Sequence, residues 1–216
     1  MWVKICGVRD VDSARAVSDL RPDAIGLNFH PASPRSVDIR MAERIVRSLP
    51  TDVEPVGVFV NRAAAEIVEI AAQLRLFTVQ LHGDEPPSVA EELTRSGLKV
   101  IRAMRIDEAT ADGLPVAVGD FRAISLKGVL IDARVAGQYG GSGQSAPWDR
   151  IAAHWKPEWP SLILAGGLTP ANIANAIAAT RPWGVDTASG VESSPGIKDV
   201  QLVRRFIESA RSASQP

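Results

Sequence analysis

Eight short β-branched runs, each followed by a stretch with helical spacing and none set apart by a change of composition, predict an α/β chain folded as a (β/α)8 TIM barrel. Uninterrupted alternation of strand and helix calls for parallel strands joined by right-handed crossovers. The runs are apolar on both faces, as suits a sheet covered by helices. A doubly wound open sheet uses about five or six strands, whereas eight match a closed barrel. The 216 residues leave about 27 for each unit, so the expectation is a compact, single-domain barrel of eight parallel strands spanning residues 1–216.

In chain order the runs begin at Trp2, Ala24, Pro55, Phe77, Lys99, Lys127, Ser161 and Trp183. Their cores read Val3-Lys4-Ile5-Cys6, Ile25-Gly26-Leu27-Asn28, Val56-Gly57-Val58-Phe59-Val60, Val79-Gln80-Leu81, Val100-Ile101-Arg102-Ala103, Val129-Leu130-Ile131-Asp132, Leu162-Ile163-Leu164-Ala165 and Gly184-Val185-Asp186. Between them, Ile67, Ile70, Ala71 and Leu74 recur at helical spacing, as do Val203, Phe206, Ile207 and Ala210. Thr169-Pro170 supplies an N-cap residue followed by proline at the first helical position, so a helix should open there. The longest intervals follow the second and sixth runs, where turn residues crowd Phe29 to Val37 and Ala133 to Pro147. From Trp159 to Thr180 there is no charged residue, a length that would cross a bilayer. Gly166, Gly167, Pro170, Asn172 and Asn175 interrupt it, so it reads as a buried strand, a glycine turn and an amphipathic helix.

The 24 basic and 25 acidic side chains nearly cancel, and no Lys or Arg cluster provides the footprint of a nucleic-acid or anionic-membrane binder. The expected partner is a small molecule, with no nucleic acid and no membrane. Cys6 is the single cysteine, which excludes an intramolecular disulfide and any Cys-x-x-Cys motif, and His30, His82 and His154 lack metal-ligand spacing. No metal is expected, and a reducing cytoplasm fits best. Charges near the N-terminus interrupt any apolar stretch before it reaches signal-peptide length. Monomer and homodimer are equally open at this point.

In such a barrel the active site lies at the C-terminal mouth of the strands, which selects Cys6, Asn28, His82, Asp132, Gly166, Gly167 and Asp186. A lone cysteine is ordinarily a small buried hydrophobe. At a strand end, followed by a turning glycine, Cys6 becomes a candidate base or nucleophile that needs neighbouring positive charge, N–H groups or developing substrate charge to ionise. An aspartate before a glycine-rich loop often only caps a turn. At the edge of an apolar barrel interior, however, the Asp132 carboxyl should have the raised pKa of a general acid. Gly166-Gly167 and Ser189-Gly190, after strands seven and eight, offer N–H groups where these barrels bind phosphate. Arg35, within Pro31-Ala32-Ser33-Pro34-Arg35-Ser36, is a candidate two-pronged partner for a substrate carboxylate, although most loop arginines are merely solvated. His82 is a positioning group.

These residues resemble the phosphoribosylanthranilate isomerase family of tryptophan biosynthesis over nearly the whole chain. Seven segments fall in the family's order: Val3-Lys4-Ile5-Cys6-Gly7, Ser33-Pro34-Arg35, Val56-Gly57-Val58-Phe59-Val60-Asn61, Val79-Gln80-Leu81-His82-Gly83, Tyr139-Gly140-Gly141-Ser142-Gly143, Leu164-Ala165-Gly166-Gly167-Leu168, and Ser189-Gly190-Val191-Glu192 through Pro195-Gly196-Ile197-Lys198-Asp199. The resemblance implies an Amadori rearrangement of N-(5-phosphoribosyl)anthranilate, an aminofuranose, to 1-(2-carboxyphenylamino)-1-deoxyribulose 5-phosphate without a cofactor. It puts the family's catalytic base on Cys6 and its acid on Asp132. It also implies that Arg35 holds the anthranilate carboxylate, that Gly166, Gly167, Ser189 and Gly190 hold the phosphate, and that Asp186 lies near the ribose or the bridging nitrogen.

Two positions depart from the family's usual pattern. Ala188 stands where a serine hydroxyl is common, and Gln144 where Lys or Thr is common, which affects phosphate binding and the loop after strand six. Two other functions fit the residues less well. The sister isomerase of histidine biosynthesis acts on a substrate with two phosphates and resembles a barrel with acidic residues at both key strand ends, whereas strand one here ends in Cys6. A noncatalytic phosphosugar-binding barrel would need neither Cys6 nor Asp132.

Overall fold

The computed structural model describes residues 1–133 and 147–214. Strands β1 (Trp2–Cys6), β2 (Ala24–Asn28), β3 (Glu54–Phe59), β4 (Thr78–Leu81), β5 (Lys99–Ile106), β6 (Gly128–Ala133), β7 (Leu162–Ala165) and β8 (Gly184–Thr187) pair in parallel and in sequence order, and β8 closes the ring on β1. Each begins within a residue of the run that predicts it. Helices α1 (Val11–Ser18), α2 (Ile39–Ser48), α3 (Ala64–Leu74), α4 (Pro87–Arg95), α5 (Leu114–Gly119), α6 (Trp148–His154), α7 (Ile173–Thr180) and α8 (Val200–Ala213) wrap the outside.

The helices start where the sequence supplies acceptors for their free N–H groups. Asp10 accepts from the Ser13 N–H at 2.8 Å, Asp38 from Met41 at 2.7 Å, and Asp199 from Gln201 at 2.8 Å and Leu202 at 3.0 Å. Ile67, Ile70, Ala71 and Leu74 of α3 are buried, as are Val203, Phe206, Ile207 and Ala210 of α8, so the helical spacing marks the faces laid on the barrel. The helical turn does open at Thr169, whose carbonyl accepts from the Ile173 N–H at 3.1 Å, but residues 170–172 form a turn and the regular helix begins only at Ile173. The capping also runs backwards, because Asn172 Oδ1 accepts from the Thr169 N–H at 2.7 Å and the threonine side chain makes no cap. The uncharged stretch divides into β7, a turn and α7, and no helix among the described residues is long and apolar enough to cross a membrane.

Alternation along each strand makes two cores. Val3, Ile5, Ile25, Leu27, Val79, Leu81, Val129, Ile131, Leu164 and Val185 face the helices. Ala24, Val56, Ile101, Ala103, Leu130, Ile163 and Ala165 fill the barrel interior, resting on Trp2. Trp2 stacks on Trp183 with ring centres 5.3 Å apart, and the Lys127 ammonium lies 5.4 Å above its ring. Lys127 also pairs with Glu54, which accepts from Thr78 Oγ1 at 2.6 Å, closing the end remote from the mouth. At the mouth, an antiparallel hairpin, β9 (Glu192–Ser194) and β10 (Ile197–Lys198), follows β8; the eight-run pattern does not foresee it.

Candidate active site at the barrel mouth

Residues two apart on a strand share a face, so Lys4 and Cys6 both point into the barrel. Lys4 is wholly buried, and its Nζ donates to Asp186 Oδ1 at 2.8 Å across the register partners of β1 and β8. Removing one partner from such a pair leaves a buried charge uncompensated, whereas the intact pair roughly offsets its own desolvation. Burial disfavours the Lys4 charge, but the Asp186 and Cys6 side chains outweigh it and hold the amine above its ordinary pKa. The same surroundings act oppositely on the thiol. Burial pushes Cys6 up, Lys4 pulls it down, Asp186 adds to the rise, and Lys198 subtracts from it. Gly26, the register partner of Cys6 on β2, makes room for the thiol, since a Cβ there would lie 2.6 Å from Sγ.

Asp132 lies next to the end of β6, two strands removed from β1 by β7 and β8 in the ring. Its Oδ2 is 3.6 Å from His82 Nε2. Gln80, fully buried on β4, donates through its amide nitrogen to His82 Nδ1 at 2.7 Å. That bond makes Nδ1 the acceptor and leaves the ring proton on Nε2, the nitrogen turned toward Asp132. His82 is thus held between Gln80 and Asp132, with the ring oriented from β4. Its loop is tied by Glu85, which accepts from the N–H groups of Asn61 and Gly83 and pairs with Arg102 at 2.6 Å.

The loop after β2 is folded by its own polar residues. Asn28 Oδ1 accepts from the His30 N–H at 2.8 Å, Asn28 Nδ2 donates to Ser33 Oγ at 3.2 Å, and Ser33 Oγ accepts from the Arg35 N–H at 3.1 Å. Asn28 thus shapes the loop that presents Arg35. The Arg35 side chain crosses Gly7, whose φ of 78° and lack of a Cβ both matter: a Cβ there would lie 2.5 Å from Arg35 Cδ. The guanidinium is not merely solvated. Nε donates to Glu192 Oε1 at 2.8 Å and Nη2 to Oε2 at 2.7 Å.

Gly166 and Gly167 turn the chain after β7 with φ of 90° and 64°, a backbone that glycine adopts without strain. The turn is laced to the segment after β8. Leu168 O accepts from Thr187 Oγ1 at 2.7 Å, and a Cβ on Gly190 would lie 1.8 Å from that same carbonyl oxygen. Ser189–Val191 form a single 3-10 turn with Ser189 exposed. The two glycine sites therefore meet, with Gly167 exposed and unobstructed. The glycine-rich segment Tyr139–Gly143 and Gln144 lie outside the described residues.

The structure gathers Cys6, Asp132, His82, Asp186 and Arg35 around one mouth and brings the pairs Gly166-Gly167 and Ser189-Gly190 together beside it. It assigns Asp186 a partner in the protein, Lys4. Three further charged residues belong to the site: Lys4, Glu192 and Lys198. Lys4 is legible in principle, because a charge two residues before Cys6 in an apolar strand must share its inward face. Glu192 and Lys198 carry no local signal, since only the hairpin brings them to Arg35. No cluster of metal-ligating side chains occurs among the described residues.

Comparison with known proteins bears on this arrangement. A family model described as N-(5'phosphoribosyl)anthranilate (PRA) isomerase matches residues 3–209. The N-(5'-phosphoribosyl)anthranilate isomerase of Myxococcus xanthus is 44% identical, over 97% of this chain and 96% of that protein. Among solved structures, the phosphoribosyl anthranilate isomerase of Thermotoga maritima superposes with a TM-score of 0.86 at 34% identity, covering 97% of this chain and 98% of the other. A phosphoribosyl anthranilate isomerase in complex with reduced 1-(o-carboxyphenylamino)-1-deoxyribulose 5-phosphate gives a TM-score of 0.82 at 32% identity, with 97% and 98% covered. A match that runs from the second residue of β1 well into α8, on a barrel whose polar residues converge at the mouth, makes this chain a member of the N-(5'-phosphoribosyl)anthranilate isomerase family.

Proposed function

We propose that the mouth performs the Amadori rearrangement of N-(5-phosphoribosyl)anthranilate with Asp132 as general acid and Cys6 as general base. Asp132 gives a proton to the furanose ring oxygen as the C1–O bond breaks, and the nitrogen lone pair forms the C1 iminium ion. Cys6 then takes the proton from C2, and the C–H electrons close the C1=C2 enolamine; C1 next takes a proton as the C2 hydroxyl gives up its own, leaving the C2 ketone of the aminoketose. With its pKa pushed up by desolvation, the Cys6 thiol ionises only with help. Lys4 supplies a fixed positive charge beneath it, and the iminium ion adds a second when the proton is due to move.

The carrying observation is that Cys6 and Asp132 project from β1 and β6 at one mouth, with the buried Lys4–Asp186 pair below the thiol. Arg35 would hold the anthranilate carboxylate, and backbone N–H groups about Gly166-Gly167 and Ser189-Gly190 the phosphate, which leaves the missing hydroxyl at Ala188 dispensable. His82 would steady Asp132. Asp186, tied to Lys4, would reach the ribose side with its second oxygen. The 216 residues act as one domain, as a monomer or homodimer in the cytoplasm, on a small phosphosugar and with no cofactor, nucleic acid or membrane.

Substituting either reacting group tests this directly. Asp132→Asn and Cys6→Ser should each lower turnover by roughly a hundred to ten thousandfold, while the reduced product analogue still binds. Full turnover by either folded variant would remove that residue from its role.

A further inference from the structure

The guanidinium of Arg35 is held along one edge only. Glu192 takes the Nε and Nη2 hydrogens in a two-pronged pair, at 2.8 and 2.7 Å. The other edge, formed by Nη1 and the second Nη2 hydrogen, has no hydrogen bond among the described residues, and a guanidinium can serve two carboxylates on separate edges. Glu192 is itself fixed. Its side chain is 4% exposed, its Oε1 accepts from Lys198 Nζ at 2.7 Å, and Lys198, 1% exposed, also donates to Ala188 O at 2.9 Å. Glu192 opens β9 and Lys198 closes β10 as register partners, so the hairpin is the element that delivers both. Gly196 at its turn lies against the loops after β1 and β2, where a Cβ would be 2.7 Å from Arg9 Nη1 and 2.9 Å from Pro34 O.

We infer that Glu192, held by Lys198, is a positioning residue that fixes the Arg35 guanidinium side-on, so that its free edge selects substrates bearing a carboxylate on the aromatic amine. This rests on the assignment of Arg35 to that carboxylate. Charge supports it: Arg35 and Lys198 against Glu192 leave one net positive charge. An Arg35–Glu192 pair alone would be neutral and would draw a second anion only through the donors on its free edge. The alternative is competition, in which Glu192 occupies Arg35 until substrate displaces it. Side-on pairing argues against that, because the edge a substrate needs is already vacant.

Two reduced product analogues separate these possibilities, one with and one without the ring carboxylate, titrated calorimetrically into the full-length protein, Glu192→Gln and Lys198→Met. The wild type should prefer the carboxylated analogue. Glu192→Gln should lose roughly ten- to hundredfold in affinity for it, and keep its affinity for the other within about twofold. Lys198→Met, which leaves Arg35 and Glu192 in place, should show the same selective loss, and in turnover KM should rise by more than kcat falls. Equal weakening of both analogues, unchanged discrimination, or tighter binding of the carboxylated analogue by Glu192→Gln would overturn the inference while leaving Arg35 in its role. A wild type that does not distinguish the analogues would instead overturn the assignment of Arg35 itself.

Discussion

Lys4 decides what Cys6 can do. A thiol pushed up by burial is a poor base at neutral pH, and the ammonium beneath it is the charge that opposes the rise most. In the free enzyme the base must be unprotonated, so kcat/KM should climb as pH rises toward a thiol pKa above its ordinary value. Lys4→Met should move that limb further to alkaline pH, and the rate of Cys6 alkylation at a fixed pH should fall by roughly tenfold or more. The variant also strands Asp186, at a cost of about 3 to 5 kcal/mol in stability, so both profiles are best recorded well below its unfolding temperature. An unchanged alkylation profile in folded protein would separate Lys4 from the thiol. At this scale the sequence is legible where periodicity governs: Cys6 and Asp132 follow from strand ends, whereas Lys4 is passed over by that rule and is recovered only from its alternation with Cys6. The partners of Arg35 and Asp186 do not, because they lie 157 and 182 residues away along the chain.

Between elements, the segments after β7 and β8 behave as one unit, since Leu168 O accepts from Thr187 Oγ1 at 2.7 Å and Gly190 passes against the same oxygen. Any side chain at position 190 must push the two segments apart. Gly190→Ala should therefore raise KM by roughly tenfold or more, through misplaced phosphate donors, with the larger effect on binding of phosphorylated ligands than of their dephosphorylated forms. Equal losses for both forms would point to a general loss of structure instead. Strand starts are legible to within a residue because burial on both faces makes the runs continuous. The α7 start is not, because Asn172 caps back onto the Thr169 N–H and competes with the Thr-Pro signal. The β9–β10 hairpin escapes for a different reason: strands of three and two residues carry no periodicity.

For the whole molecule, the barrel divides its labour between its ends. Trp2, Trp183, Lys127, Glu54 and Thr78 close one end with stacking and paired charge, while the small residues Gly26, Ala103 and Ala165 leave the upper interior to Lys4, Cys6, Gln80 and Asp186. Conserving reactive groups for the C-terminal ends of the strands is how one fold supports chemistry without weakening its core. These groups should suffice for the isomerisation by themselves. Purified protein, dialysed against a chelator and mixed with freshly generated N-(5-phosphoribosyl)anthranilate, should make the anthranilate fluorescence decay rapidly with nothing further added. Folded protein that binds the reduced product analogue yet leaves the fluorescence unchanged would contradict it.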